Sequence, residues 1–225
     1  KQKTVLVTSN FDNVGSLPCN TSIGGPAKGI IVREIDALGG QMAVTADKTY
    51  LQMKMLNTAK GPGVQSLRGQ ADKIKYPRCM QKVLKEQENL DIVEGMVEDL
   101  IVEDNTVKGV ILDDGQKIMG KMVILTTGTY LKAEILCGHQ KHPSGPDQQK
   151  ESKYLSTRLA KLGFRIQRLK TGTPPRVDIN SVDYSKTTLQ PGTDAKLAFS
   201  FRTKEFVPID QQVPCYLTYT NEKTH

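Results

Sequence analysis

At 225 residues, 37% hydrophobic and 24% charged, the chain has the size and composition of a globular protein with one large domain, or one domain plus part of another. Its 31 Lys and Arg against 24 Asp and Glu leave a net charge of +7 and a pI near 9.1, which favours a polyanionic partner. No apolar run approaches the roughly 18 residues that span a bilayer, the N-terminal apolar run is far too short for a signal peptide, and the absence of Trp leaves little material for a base-stacking platform.

Lys3 to Asn10 (KTVLVTSN) reads as a short, buried, β-rich strand. A loop follows, CNTSIGGPAKG from Cys19 to Gly29, in which nothing fills a core or builds a strand. From Pro26 the pattern turns helical. Proline suits a first helical position, Ile31, Ile35 and Leu38 share a face, and Gly39-Gly40 supplies the stop. The stretch to Gly61-Pro62-Gly63 is mixed, and that triplet breaks it. A second helix is predicted from Ser66 to Glu88, burying Ala71, Ile74, Met80, Val83 and Leu84 and kinked or interrupted at Pro77. Leu90 to Leu131 holds a strand, then an antiparallel meander punctuated by Asp104-Asn105, Asp113-Asp114-Gly115 and Gly120. A return strand from Met122 to Thr126 ends that stretch in Thr-Thr-Gly. A helix from Ser152 to Leu162 is closed by Gly163, the paired prolines of RLKTGTPPRVD forbid helix, and short strands and loops follow.

Strand, helical region, strand, three-stranded meander and a strand running into Thr-Thr-Gly is the order of a two-dinucleotide-binding flavoprotein, an α/β fold of Rossmann type. Such folds open with a strand, a G-x-G-x-x-G turn and a helix whose N-terminus holds a pyrophosphate. The sequence starts at the second strand of that pattern, so it is expected to be a fragment.

Six blocks in order, CNTSIGGPAKGIIVREIDALGGQM, LNTAKGPGVQSLRGQADK, VEDLIVE, VILTTGTYL, RLKTGTPPRVD and QQVPCYLTYTNEKTH, resemble the MnmG (GidA) family. This is the FAD-dependent subunit of the enzyme that carboxymethylaminomethylates the wobble uridine of tRNA. The resemblance covers nearly the whole chain. It departs from the family in KGPGVQ, where Gly63 and Gln65 replace an alanine and a basic residue. It implies a glutathione-reductase-like FAD-binding domain with a three-stranded β-meander over residues 1–170, lacking its first βα unit. The start of an inserted α/β domain on the tRNA side is expected over 171–225. It further implies a cytoplasmic homodimer working with a GTPase partner of the MnmE family, with NADH and methylene-tetrahydrofolate as co-substrates.

Cys19 matches the functional cysteine of the family's C-N-x-[AS]-I-G-G block. The residues themselves point the same way: a thiol in a small-residue loop ahead of a helix start, with Lys28 following, lies in a positive local field that favours thiolate. C5 of uracil becomes nucleophilic only after something adds at C6, and a thiolate is able to do that; an acid/base or stabilising role is the alternative, and plain packing the bland one. Gly24 and Gly25 let a substrate or flavin approach the backbone, while Lys28 opposes the helix dipole unless an anion is near. By resemblance, Val97 reads adenine through its main chain, Ser152 offers a hydroxyl to the cofactor, and the turn at Thr126, Thr127 and Gly128 brushes the adenosine half of FAD. Arg158, Arg165, Arg168, Lys170 and Arg176 form a basic run suited to tRNA phosphates, with Lys170 and Arg176 on a stiff proline loop. A merely solvated face is the competing reading. Cys19, Cys79, Cys137 and Cys215 lie far apart without a C-x-x-C pair, so neither a disulfide framework nor a metal site is expected and the compartment reads as reducing. Cys137 and Cys215 are unassigned, and Asp36, Asp47 and Asp72 read as surface or capping residues. Two other functions compete: a folate- and FAD-dependent tRNA uracil-5-methyltransferase, and a non-catalytic basic RNA-binding domain.

Overall fold

The computed structural model describes residues 2–225. In chain order its strands and helices are β1 (Thr4–Thr8), β2 (Ser22–Gly24), α1 (Lys28–Ala37), α2 (Met42–Thr49), β3 (Tyr50–Leu56), β4 (Ser66–Ala71) and α3 (Lys75–Lys85). There follow β5 (Leu90–Glu94), β6 (Val97–Glu103), β7 (Thr106–Leu112), β8 (Lys117–Met119), β9 (Glu134–Cys137), β10 (Gln140–Pro143), α4 (Leu155–Lys161), β11 (Thr188–Gln190) and β12 (Cys215–Leu217). They sort into two compact units. The first holds the chain up to Val14 with Leu84–Gly172, and the second holds Gly15–Val83 with Thr173–His225. Residues 15–83 group with 173–225 because the later segment is bonded to them.

In the first unit, β1 and β5 pair in parallel from Thr4↔Leu90 to Thr8↔Glu94. The strands β6, β7 and β8 form the expected antiparallel meander. Its first turn is Asp104-Asn105, with φ of 48° and 58°, the left-handed pair that a two-residue hairpin needs. Helix α4 buries Leu155 and Leu159. Gly163, at φ 93°, ends it, and the Phe164 amide bonds the Leu159 carbonyl at 3.1 Å, which satisfies a terminal acceptor. Arg158 pairs with Asp99 at 3.2 Å, tying α4 to β6. Met122 to Thr126 does not form the expected strand. Met122 and Ile124 stand 87% and 85% exposed, and no strand lies alongside them among the described residues, so no ladder closes.

In the second unit, β2, β4 and β3 form an antiparallel sheet with β4 central. Ile23, Val32, Ala43, Ala46, Met53, Leu67, Ala71, Tyr76 and Phe199 make its core. The expected helix from Ser66 to Glu88 is replaced by β4 and then α3. Ser66–Ala71 is flanked on both sides by strands that complete its ladder, and Gly69 is a poor helix former. Asp72 starts α3 instead, accepting from the amides of Ile74 at 2.8 Å and Lys75 at 2.9 Å. Pro77 therefore falls in the first turn, where no intrahelical donor is lost, and it does not interrupt the helix. Of the residues predicted to be buried there, Ala71 is buried on β4 and Ile74 is exposed.

Helix α1 begins at Lys28 rather than Pro26, and its buried face is Gly29, Val32 and Asp36. Ile31, Ile35 and Leu38 point outward, Leu38 being 91% exposed. The face rotates because two carboxylates hold the distant segment 199–203. Asp47 accepts from the amides of Phe199 and Ser200, both at 2.9 Å, and from the Thr203 hydroxyl at 2.6 Å. Asp36 accepts from the Ser200 hydroxyl at 2.7 Å, the Phe201 amide at 3.2 Å and the Arg202 guanidinium at 2.6 Å. Asp36 and Asp47 are thus buried anchors, not surface residues. Burial pushes the Asp36 carboxyl up, but Arg202, Ser200 and the Phe201 amide outweigh it and hold it below the usual carboxylate range. Asp72 does cap a helix, and the amides of Lys75 and Ile74 lower its carboxyl.

Candidate functional site

Ligands of open α/β sheets bind outside the carboxyl ends of the strands. In the first unit those ends are Thr8 of β1 and Glu94 of β5, and a cleft of 300 Å³ opens there. It is lined by Ser9, Asn10, Asn13, Gly95, Met96, Asp113, Gln149 and Lys150. Glu94 accepts from the Phe11 amide at 2.6 Å and fixes the turn after β1. Lys150 reaches Asp113 at 2.7 Å. That bond and the Met96 amide hold the Asp113 carboxyl low, and Asp113 in turn raises Lys150, so both stay charged. The result is a polar cleft whose one cation and one carboxylate pair with each other.

Four residues expected on the cofactor side gather beside it. The Ser152 hydroxyl donates to the Val97 carbonyl at 3.4 Å, and Val97 directly follows the cleft residues Gly95 and Met96. Ser152 is 4% exposed, and its amide bonds the Tyr130 carbonyl at 2.9 Å. Thr127 and Gly128 form a turn into Tyr130, with Gly128 at φ 58°. The Tyr130 hydroxyl donates to the Gln149 side chain of the cleft at 2.7 Å. The sequence reading missed the cleft residues themselves: Asn10 and Asn13 were legible as polar residues after a strand, whereas Lys150 and Gln149 come from a loop without any local signal.

Gly24 and Gly25 belong to the second unit. Both need glycine, with φ of 86° and 90°, but Gly24 also needs it for packing. A Cβ there would overlap the Leu67 carbonyl and the Phe199 ring. Gly25 stays open on its Cβ side. Cys19 lies half-buried in the loop before β2, and no disulfide joins any of the four cysteines. The Arg176 guanidinium bonds the carbonyl of Pro18, the residue before Cys19, at 3.3 Å. That bond ties Arg176 to the cysteine loop. Lys28 is exposed in the first turn of α1, which contains no acidic residue.

The remaining cations lie in the first unit. Arg168 pairs with Glu134 at 3.6 Å, and Lys170 sits in a stretch, 160–181, whose every residue is exposed. Cys215 sits at the start of β12, its thiol 3.5 Å from Gln52 Oε1. Among the described residues no group of three His, Cys, Asp or Glu side chains is arranged to hold a metal, and no helix is long and apolar enough to cross a membrane.

Residues 1–225 match the family described as "Glucose inhibited division protein A". The chain is 56% identical over 223 residues to the tRNA uridine 5-carboxymethylaminomethyl modification enzyme MnmG of Geobacillus kaustophilus, which covers 99% of this chain and 35% of that protein. It is 54% identical, with the same coverage, to the protein so named from Geobacillus thermodenitrificans. Its structure superposes on Aquifex aeolicus GidA in the form II crystal with a TM-score of 0.92 at 44% identity, over 98% of this chain and 37% of that one. The form I crystal gives 0.89 over 95% and 36%. The chain thus spans 35% of the length of the curated relatives it matches.

Proposed function

The chain belongs to the Glucose inhibited division protein A family, and on that premise we propose that it is part of an FAD-dependent enzyme that modifies the wobble uridine of tRNA at C5. The observation that carries this reading is 56% identity along 99% of the chain to a protein named for that reaction. The polar cleft beside Ser152 and Val97 supports the assignment of FAD. Its hydroxyl, amides and ammonium suit the ribose, phosphate and adenine of a nucleotide, and its 300 Å³ suits part of such a cofactor. FAD supplies redox chemistry when bound; the roles of Val97, Ser152, Thr127 and Gly128 are to hold and orient its adenosine half.

Cys19 is the residue we assign to chemistry, as a thiolate adding to the uracil ring. Lys28, Arg168 and Lys170 are assigned to the nucleic-acid side, Gly24 and Gly25 to the close approach of the cofactor, and Arg176 to the support of the cysteine loop. The whole protein is expected to use NADH and a methylene-tetrahydrofolate carbon, to form a homodimer in the cytoplasm and to work with a GTPase partner of the MnmE family. The tRNA uracil-5-methyltransferase reading is not favoured, because the relatives matched along the chain carry the carboxymethylaminomethyl name.

Deleting the gene and analysing the nucleosides of bulk tRNA tests the proposal. Loss of the 5-carboxymethylaminomethyl nucleosides is expected. Loss of 5-methyluridine instead would favour the methyltransferase, and an unchanged nucleoside profile would leave only a binding protein.

A further inference from the structure

The charge of this chain is unevenly placed. The first unit carries fifteen Lys and Arg against fourteen Asp and Glu, and the segment 173–225 carries six against six. Residues 15–83 carry ten against four, which accounts for almost the entire excess. Of those four carboxylates, Asp36 and Asp47 are buried against 199–203, and Asp72 is engaged by the α3 amides. Asp72 also pairs with Lys75 at 4.0 Å, and Glu34 is the fourth, so the ten cations of this segment still outnumber its carboxylates by six.

Three of these ten, Lys75, Arg78 and Lys82, lie on α3, which ends at a further cation, Lys85 of the first unit. The sequence of α3, KYPRCMQKVLK, contains no acidic residue. At 3.6 residues per turn, Lys75, Arg78, Lys82 and Lys85 fall within an arc of about 80°. All four are exposed. The opposite arc carries Tyr76, 4% exposed, and Met80, which packs against the core. The apolar face is therefore occupied by protein and has nothing to insert into a bilayer. Lys73, just before the helix, adds another exposed cation. From Lys75 to Lys82 the helix rises about 10 Å, a span for successive phosphates on a strand, not for one small anion.

We propose that the α3 face bearing Lys75, Arg78 and Lys82 docks the phosphate backbone of RNA. The identity of that RNA as tRNA rests on the function proposed above; the electrostatic argument does not. Contacts of this kind fix register without reading sequence and release counterions, so they appear as salt dependence.

The test uses the full-length protein and unmodified tRNA, with affinity measured from 50 to 200 mM salt. The triple variant Lys75→Ala, Arg78→Ala, Lys82→Ala is expected to bind at least about tenfold more weakly, with a log–log salt slope flatter by about 2. A Lys75→Arg, Lys82→Arg variant keeps the charge and should bind as wild type, which separates charge from folding damage. Replacing Lys117 and Lys121 of the first unit by Ala should change nothing. Equal affinity and slope in the triple variant, with wild type binding tRNA, overturns the α3 surface and leaves the proposed function standing. Wild type that ignores tRNA but binds phosphatidylserine vesicles, with binding lost in the triple variant, overturns both.

Discussion

Cys19 and Arg176 are 157 positions apart in sequence, yet one hydrogen bond to the carbonyl of Pro18 joins their loops. This gives the two residues different expected signatures. Cys19→Ser keeps the size of the side chain but replaces a thiol with a hydroxyl that is scarcely ionised near neutral pH. If the thiolate does chemistry, modified uridine per bound FAD should fall at least about a hundredfold in the full-length enzyme, equivalent to about 2.7 kcal/mol of transition-state stabilisation. FAD content and tRNA affinity should stay near wild type. Near-normal turnover would remove Cys19 from the chemistry, and weakened FAD binding with surviving turnover would mark it as packing. Arg176→Ala removes one guanidinium and releases the Pro18 carbonyl. The expectation is a larger loss in turnover than in tRNA affinity, because the loop holding Cys19 loosens while one phosphate contact at most disappears. An affinity loss with turnover per bound tRNA intact would return Arg176 to the role first read from its charge.

At the scale of elements, the second unit is held by buried carboxylates that grip amides from a distant segment. Asp47→Ala would leave the Phe199 and Ser200 amides without acceptors in a buried setting, at a cost of about 3 kcal/mol. Urea unfolding should show it as a lower midpoint, and an unchanged midpoint would mean that the grip contributes little. The same grip sets an acid limit. Asp36 and Asp72 have carboxyls held below 3.8 in the folded state, so their stabilisation is present above the unfolded value and is lost as pH falls through the folded one. The melting temperature should therefore hold steady down to about pH 5 and drop below about pH 4, the carboxylate range, more shallowly in Asp36→Asn. These anchors explain where sequence reasoning failed. The parallel strand, the meander and the glycine-stopped α4 were legible because local pattern and turn chemistry decide them. The buried face of α1 was not, because Asp36 is drawn inward by Ser200 and Arg202, residues more than 160 positions away. β4 was misread for a similar reason: its helix-like spacing of apolar residues yields to ladders from β2 and β3. Of the candidate site, Val97, Ser152, Thr127 and Gly128 were expected from family resemblance, while the cleft beside Val97 and Ser152 depends on strand ends brought together only by folding.

For the molecule as a whole, the second unit is discontinuous in sequence: residues 15–83 and 173–225 fold together although 84–172 intervene. The bonds that join them run along two fronts. Asp36 and Asp47 hold 199–203, while β3 holds 193 and 212–213, with Thr193 bonding the Met53 carbonyl at 2.9 Å, Gln212 accepting from the Met53 amide at 2.9 Å and Val213 bonding the Leu51 carbonyl at 2.8 Å; Arg176 on Pro18 adds a bond outside both. Every residue from 160 to 181 is exposed, and that stretch carries Lys161, Arg165, Arg168, Lys170 and Arg176. Proteases need accessible, locally extensible backbone. Limited trypsin digestion should therefore cut first between Lys161 and Lys170, sparing Arg176 longer because its guanidinium is engaged by Pro18. The piece beginning near 171 should then stay with the piece containing 15–83 through gel filtration at neutral pH, since a backbone cut leaves both fronts intact. The Asp47→Ala variant, cut in the same way, should release it sooner as urea is raised. Separation of the wild-type pieces without denaturant would show that chain connectivity, not the carboxylate grip and the β3 bonds, holds the second unit together.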